Sequence, residues 1–275
     1  MTAAAVLVTG GFDDLGLRHV RFLHECSHLG EVTVLLWSDS ALSAATGALP
    51  KFSLAERCYL IQSLRFVSRV LVVESYRGPW RELKDLPDRV VVCADSESSG
   101  PEPEAAWRAA AALGVPVRGF ASRDLRGFPE FPPVVPDPAR RRVVVTGCYD
   151  WLHSGHVRFF EEVSGYGELY VIVGHDANVR LLKGDGHPRF PQAQRRYMTG
   201  SIRHVHRSVI STGSGWMDAG PEISSIGAHI YAVNEDGDKP EKREYCREHG
   251  LEYLVLRRLP ADGLPKRTST DLRGF

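Results

Sequence analysis

The sequence lacks an excess of either charge, a C-x-x-C pair, an apolar run of membrane-spanning length and a basic leader. Lysine plus arginine and aspartate plus glutamate each number 34. No net field therefore draws the chain to nucleic acid or to a membrane surface, and neither is expected as a partner. The opening MTAAAVLVTGGF has no basic region ahead of its short apolar stretch, which suits a first strand; a cytoplasmic location is the expectation. The cysteines Cys26, Cys58, Cys93, Cys148 and Cys246 are odd in number and scattered. That pattern suggests neither a zinc site nor a redox dithiol, and no metal ligands are assigned.

What the sequence does contain is a repeat. VTGGFDDLGLRHVRF (8–22) aligns without a gap on VTGCYDWLHSGHVRF (145–159), an offset of 137 residues. ERCYLIQSLRFVSRVLV (56–72) then matches QRRYMTGSIRHVHRSVI (194–210), and SRDLRGF (122–128) matches STDLRGF (269–275). Three matches in one order imply two copies of one domain, in keeping with a chain of 275 residues that is 43% hydrophobic. The segment 129–141 carries five prolines and no periodic apolar face, so it reads as an extended connector. The predicted organisation is a first domain over 1–130, a Pro-rich linker over 131–141 and a second domain over 142–275.

In each copy, short Val- and Ile-rich runs alternate with segments of helical period, which predicts an α/β fold: two tandem Rossmann-like domains, each with a parallel sheet covered by helices. Ligands of such sheets bind beyond the carboxyl ends of the strands. The loop after the first strand of the second copy, Gly147 to His156, is the place to look for chemistry. It places backbone N–H groups, the close-approach residue Gly155 and the imidazoles of His153 and His156 at a helix start, an arrangement suited to an anion. Two histidines three apart also serve as metal ligands or as plain cap residues. Lys183, Arg195 and Arg203 add cations farther on, although single basic residues on helices are usually solvated. Arg267 to Leu272 reads as a hydroxyl-rich helix start, whose commoner use is an ordinary N-cap.

Taken in order, YDWLHSGH (149–156), GHDANVRLLK (174–183), RRYMTGSIRHV (195–205) and RTSTDLR (267–273) resemble the H-x-G-H nucleotidyltransferase superfamily. The resemblance is strongest to the cytidylyltransferases acting on glycerol phosphate, choline phosphate and ethanolamine phosphate. It implies transfer of CMP from CTP, with Mg²⁺ carried on the triphosphate, to a small phosphorylated or phosphonylated acceptor with release of pyrophosphate. Adenylyl transfer from ATP to a sugar phosphate or cofactor precursor is the alternative; a non-catalytic nucleotide-binding scaffold is the alternative from another class. The resemblance also implies roles. His153 and His156 hold the NTP phosphates, Lys183 neutralises the acceptor phosphate, and Arg195 grips the leaving phosphates. Gly147, Tyr149, Asp150 and Gly155 belong to the nucleotide site, Thr268, Ser269 and Thr270 cradle pyrophosphate, and Asp176 stands beside the acceptor with Lys183. The segment 233–246 falls where relatives carry a Gly-Asp-rich loop near the base.

In the first copy the H-x-G-H positions read Gly16-Leu17-Arg18-His19. The first histidine and the open glycine are gone, an arginine takes the space of a phosphate, and this copy is expected not to catalyse. Its expected use is to replace a partner subunit in an intrachain pseudo-dimer. Ethanolamine-phosphate cytidylyltransferases also carry two copies, there with the first regarded as active.

Overall fold

The computed structural model describes residues 4–78, 90–268 and 272. The chain divides into two compact units, Met1–Gly127 and Phe128–Phe275. The first contains β1 (Ala4–Gly10), α1 (Leu17–Ser27), β2 (Gly30–Trp37), α2 (Asp39–Thr46), α3 (Leu54–Gln62), β3 (Val67–Val73), β4 (Val90–Asp95), α4 (Glu102–Leu113) and β5 (Val117–Phe120). The second contains β6 (Arg142–Gly147), α5 (Ser154–Ser164), β7 (Glu168–Val173), α6 (Asp176–Lys183), α7 (Gln192–Gly200), β8 (Val205–Ile210), α8 (Gly220–Ile226), β9 (Ile230–Asn234), α9 (Pro240–Glu248) and β10 (Glu252–Leu256).

Each unit is an α/β Rossmann-like layer around a five-stranded parallel sheet, ordered β3-β2-β1-β4-β5 in the first and β8-β7-β6-β9-β10 in the second. The apolar runs that predicted strands are buried because helices cover both faces of a parallel sheet. Val143, Val144 and Val145 of β6 are fully buried, as is every residue of β7. On one face Val144, Tyr170, Ile172, Tyr231 and Val233 pack under Ile223 of α8 and Cys246 of α9.

The Pro-rich segment, expected as an extended connector, makes contacts of its own. Its first residues are fastened to the second unit: Phe131 stacks on Tyr197 at 5.5 Å between ring centroids, and Glu130 pairs with Arg196 at 2.9 Å. Farther along, the Asp137 N–H donates to Glu168 Oε1 at 2.8 Å. These contacts lie within the second unit, which begins at Phe128. Among the described residues, no helix is long and apolar enough to cross a membrane.

In the second sheet, successive strands leave β6 in opposite directions, to β7 on one side and β9 on the other. This is the topological switch point, where the loops diverge and leave a crevice. Register brings Gly147 of β6 level with Val173 of β7, and Leu256 of β10 level with Asn234 of β9, so all four strands open onto one crevice.

Candidate active site

The loop leaving β6 is shaped by two residues without room to spare. Tyr149 adopts φ 53°, a left-handed conformation unusual for a bulky residue. Its ring lies so close over Gly147 that a Cβ there would come within 2.8 Å of it. The same ring meets His156 and Phe160 edge-on, each at 5.3 Å between centroids, so Tyr149 fixes where His156 stands.

His153 is the N-cap of α5 and is buried, with its Nδ1 accepting from the Gly155 N–H at 3.1 Å. An accepting Nδ1 puts the proton of the neutral ring on Nε2. At Gly155 a Cβ would lie 3.0 Å from the His153 ring and 3.4 Å from the Arg267 carbonyl. The bare glycine is what lets the ring fold over the helix start. His153 and His156 then stack, with centroids 3.9 Å apart and planes 23° from parallel. Burial, followed by the charges of His153 and Arg258, holds His156 well below the usual histidine range and hence neutral. Its Nδ1 is buried and has no partner among the described residues.

These rings line a cavity of about 220 Å³. Its walls come from the loop after β6, from Lys183 at the end of α6, from Asn234, Asp236 and Gly237 after β9, from Lys242 of α9 and from Arg258 after β10. Lys183 is exposed and makes no hydrogen bond or ion pair among the described residues. Lys242 donates to the Gly237 carbonyl at 3.1 Å, and burial holds its ammonium below the usual lysine range. Three cations and a helix N-terminus thus face one cavity, an arrangement that favours a polyanion.

Not every predicted site residue is available to such a ligand. Gly147, Tyr149, Asp150, His153, Gly155, His156 and Lys183 all line the cavity; Arg195, Asp176 and Thr268 do not. Ser269 and Thr270 lie outside the described residues. The Asp150 carboxylate is committed to the backbone, accepting from the Arg189 N–H at 2.7 Å and the Phe190 N–H at 2.9 Å. Arg195 is 1% exposed. Its guanidinium donates to the carbonyls of Phe190, Cys148 and Gly174 at 2.9, 2.6 and 2.8 Å and pairs with Asp176 at 2.7 Å. Buried Arg195 and half-buried Asp176 thus bind each other and the carbonyls of the loops around the site.

The first unit makes the reason plain. Arg57 donates to the carbonyls of Phe52, Gly11 and Trp37 and pairs with Asp39 at 2.7 Å, while Asp13 accepts from the Lys51 and Phe52 N–H groups. Phe12 at φ 49° meets His19 edge-on at 5.4 Å, as Tyr149 meets His156. The same bonds form in a unit that lacks the stacked histidine pair, as expected of residues that build the fold. The crevice itself has closed. Arg18, in the place of Gly155, makes a two-pronged ion pair with Asp95 at 2.5 Å and donates to Ser122 Oγ at 2.8 Å. The remaining cavity is about 30 Å³ and carries the carboxylates of Asp95 and Glu102.

Sequence reasoning missed Arg258, and it flagged the segment 233–246 without singling out Asn234 or Lys242, which line the cavity. Arg258 belongs to no motif; its one signal is position, just after the carboxyl end of a strand.

Residues 144–263 match the family described as Cytidylyltransferase-like. The FAD synthase of Aciduliprofundum boonei is 33% identical over 138 residues, covering 48% of this chain and 84% of that protein. The chain belongs to the cytidylyltransferase-like nucleotidyltransferases. The FAD synthase of Methanocella arvoryzae is 30% identical over 48% of this chain and 93% of its own length. The bifunctional protein HldE of Methylococcus capsulatus is 38% identical over 36% of this chain and 21% of that protein. As a nucleotidyltransferase, the second unit offers bound phosphates a helix start and cations in place of a protein nucleophile, which in-line transfer does not require.

Proposed function

We propose that the second unit transfers adenylate from MgATP to the phosphate of an acceptor of the flavin mononucleotide type, releasing pyrophosphate. The observation that carries the transfer reading is the stacked His153–His156 pair at the start of α5, facing the same cavity as the exposed Lys183 ammonium. The relatives named FAD synthase support adenylate and a flavin phosphate. They favour the adenylyl alternative over the CMP transfer expected from the motifs.

In this reading an acceptor phosphate oxygen attacks the α-phosphorus of ATP, the bond to the bridging β-oxygen breaks, and pyrophosphate departs with its electron pair. Charge spreads over the α-phosphate oxygens as this happens. The His153 Nε2–H and the amides at the start of α5 donate to those oxygens. Burial, followed by the charges of His153 and Arg258, keeps His156 neutral in the empty site; the negative charge of a bound triphosphate favours its protonation. Lys183 offsets the repulsion between the incoming acceptor phosphate and the triphosphate. Mg²⁺ enters with the nucleotide as part of the substrate.

The test is pyrophosphate release from each of the four NTPs with a panel of acceptors: flavin mononucleotide, a heptose phosphate, glycerol phosphate, phosphocholine and 2-aminoethylphosphonate. ATP with flavin mononucleotide is expected to give the highest kcat/KM. A preference for CTP with phosphocholine, glycerol phosphate or a phosphonate would return the reading to CMP transfer.

A further inference from the structure

Lys242 has no task in the proposed transfer, yet it lines the cavity. Its ammonium sits over the Tyr231 ring, 5.7 Å from the centroid, and the Tyr231 hydroxyl meets Thr146 Oγ1 at 2.7 Å. An ammonium carries three N–H groups, and one of these donates to the Gly237 carbonyl. Lys242 makes no ion pair among the described residues, because the nearby Asp236 and Asp238 are paired with Arg258 and Arg243. The carboxylates lining the cavity are both engaged, Asp150 by backbone amides and Asp236 by Arg258. A ligand therefore meets a half-buried ammonium with N–H groups to give, and no carboxylate ready to receive a cation.

Position indicates which part of a ligand it meets. From the middle of the sheet, β6 leads outward to β7 and β9 leads outward the other way to β10, so right-handed crossovers carry α5 and α9 to opposite faces. In the proposed reaction the phosphates gather at the start of α5. Lys242 enters from the α9 face, where the body of a ligand lies rather than its phosphates. The acceptor's side of the site extends to that face. α6, which ends in Lys183, is bonded through the Asn178 amide to the Gly215 N–H and carbonyl at 2.8 and 3.0 Å. The adjoining Trp216 lines a second cavity together with Glu241 and Tyr245 of α9. A continuous wall thus runs from the helix of Lys183 to the helix of Lys242.

We propose that Lys242 sets the chemical class of the acceptor: its ammonium donates to a carbonyl or carboxylate oxygen on the acceptor's body and excludes acceptors whose body carries an ammonium group. The assignment deepens the nucleotidyl-transfer reading and rests on it. Flavin mononucleotide, with its ring carbonyls, meets the requirement. Phosphocholine and 2-aminoethylphosphonate do not, because like charges brought together in a half-buried site repel with little screening.

The experiment compares phosphocholine with neohexyl phosphate, the same skeleton with carbon in place of the charged nitrogen. Their affinities for the full chain are measured by calorimetry, with non-hydrolysable analogues of ATP and of CTP present in turn, for the wild type, Lys242→Met and Lys242→Glu. Steady-state KM values for ATP and flavin mononucleotide are measured beside them. The wild type is expected to bind neohexyl phosphate roughly 10-fold more tightly than phosphocholine. Lys242→Met keeps the apolar stem and removes the charge; it is expected to abolish that gap and to raise the KM for flavin mononucleotide roughly 10-fold at an unchanged KM for ATP. Lys242→Glu reverses the preference. Equal affinities in the wild type, a gap that persists in Lys242→Met, or a change in the KM for ATP alone overturns the assignment. Binding of the matched pair needs no turnover, so a wild type that discriminates through Lys242 yet makes no product from ATP and flavin mononucleotide sinks only the choice of those two substrates.

Discussion

Arg195 and Arg57 hold equivalent places in the two units, and each sends its guanidinium to three backbone carbonyls and one aspartate, Asp176 or Asp39. One of the two units lacks the histidine pair, so the shared bonds describe a fold device. Replacing either arginine by alanine leaves buried carbonyls without donors, and each change is expected to destabilise its unit by roughly 3 kcal/mol or more. Chemical denaturation followed by circular dichroism checks this. A loss of turnover in Arg195→Ala at undiminished stability would contradict it.

Gly155 tests the geometry of the helix start. A methyl group there meets the His153 ring at 3.0 Å and the Arg267 carbonyl at 3.4 Å, so Gly155→Ala is expected to push the ring off its cap. Turnover should fall by about tenfold or more while stability changes by about 1 kcal/mol, since a pre-organised donor is displaced but little core is lost. Kinetics beside a thermal melt separates the two effects.

The strand-loop-helix placement of the site was legible in the sequence because apolar alternation and the H-x-G-H spacing are local properties. Lys183 was legible for the same reason, as part of a contiguous segment. The roles of Arg195, Asp176 and Asp150 were not, because a side chain's bonds to distant carbonyls depend on tertiary packing. The aligned residues of the first unit nevertheless held a clue: Arg57, Asp39 and Asp13 align with Arg195, Asp176 and Asp150, where Gly16 and Arg18 align with His153 and Gly155. Arg258 escaped because its partners, Asp236 and the Arg267 carbonyl, are set by how β9 and β10 end side by side.

The closed crevice of the first unit predicts stoichiometry. Arg18 is tied up in an ion pair with Asp95, and the carboxylates of Asp95 and Glu102 that line the small cavity repel phosphate. Equilibrium dialysis with a non-hydrolysable ATP analogue is expected to saturate at one nucleotide per chain. Two per chain, or binding that survives loss of the second unit's site in a His153→Ala/His156→Ala/Arg258→Gln variant, would contradict this.

Acid should loosen the first unit through His24. Burial, followed by the charges of His28 and Arg21, pulls its imidazole down to about 4, and the ring stacks on Phe66 at 4.3 Å. The unfolded chain takes up this proton near pH 6.5, whereas the folded chain resists until about pH 4. Stability is therefore retained above the unfolded value and lost as the pH falls from 6.5 toward 4. Denaturant titrations near pH 7.5 and about pH 4.5 are expected to show His24→Gln losing less stability between the two than the wild type does, by on the order of 2 kcal/mol. Equal losses would contradict the assignment. Burial also lowers His19, His156 and His204, which adds to the acid sensitivity of the whole chain.

Pyrophosphate release by the wild type and by His156→Ala, measured with saturating MgATP and flavin mononucleotide, tests the role of the stacked imidazoles at the start of α5 most directly. The account predicts a fall in kcat of roughly two to four decades for the variant, at a melting temperature close to that of the wild type. Turnover by the variant within a few-fold of the wild type would contradict it.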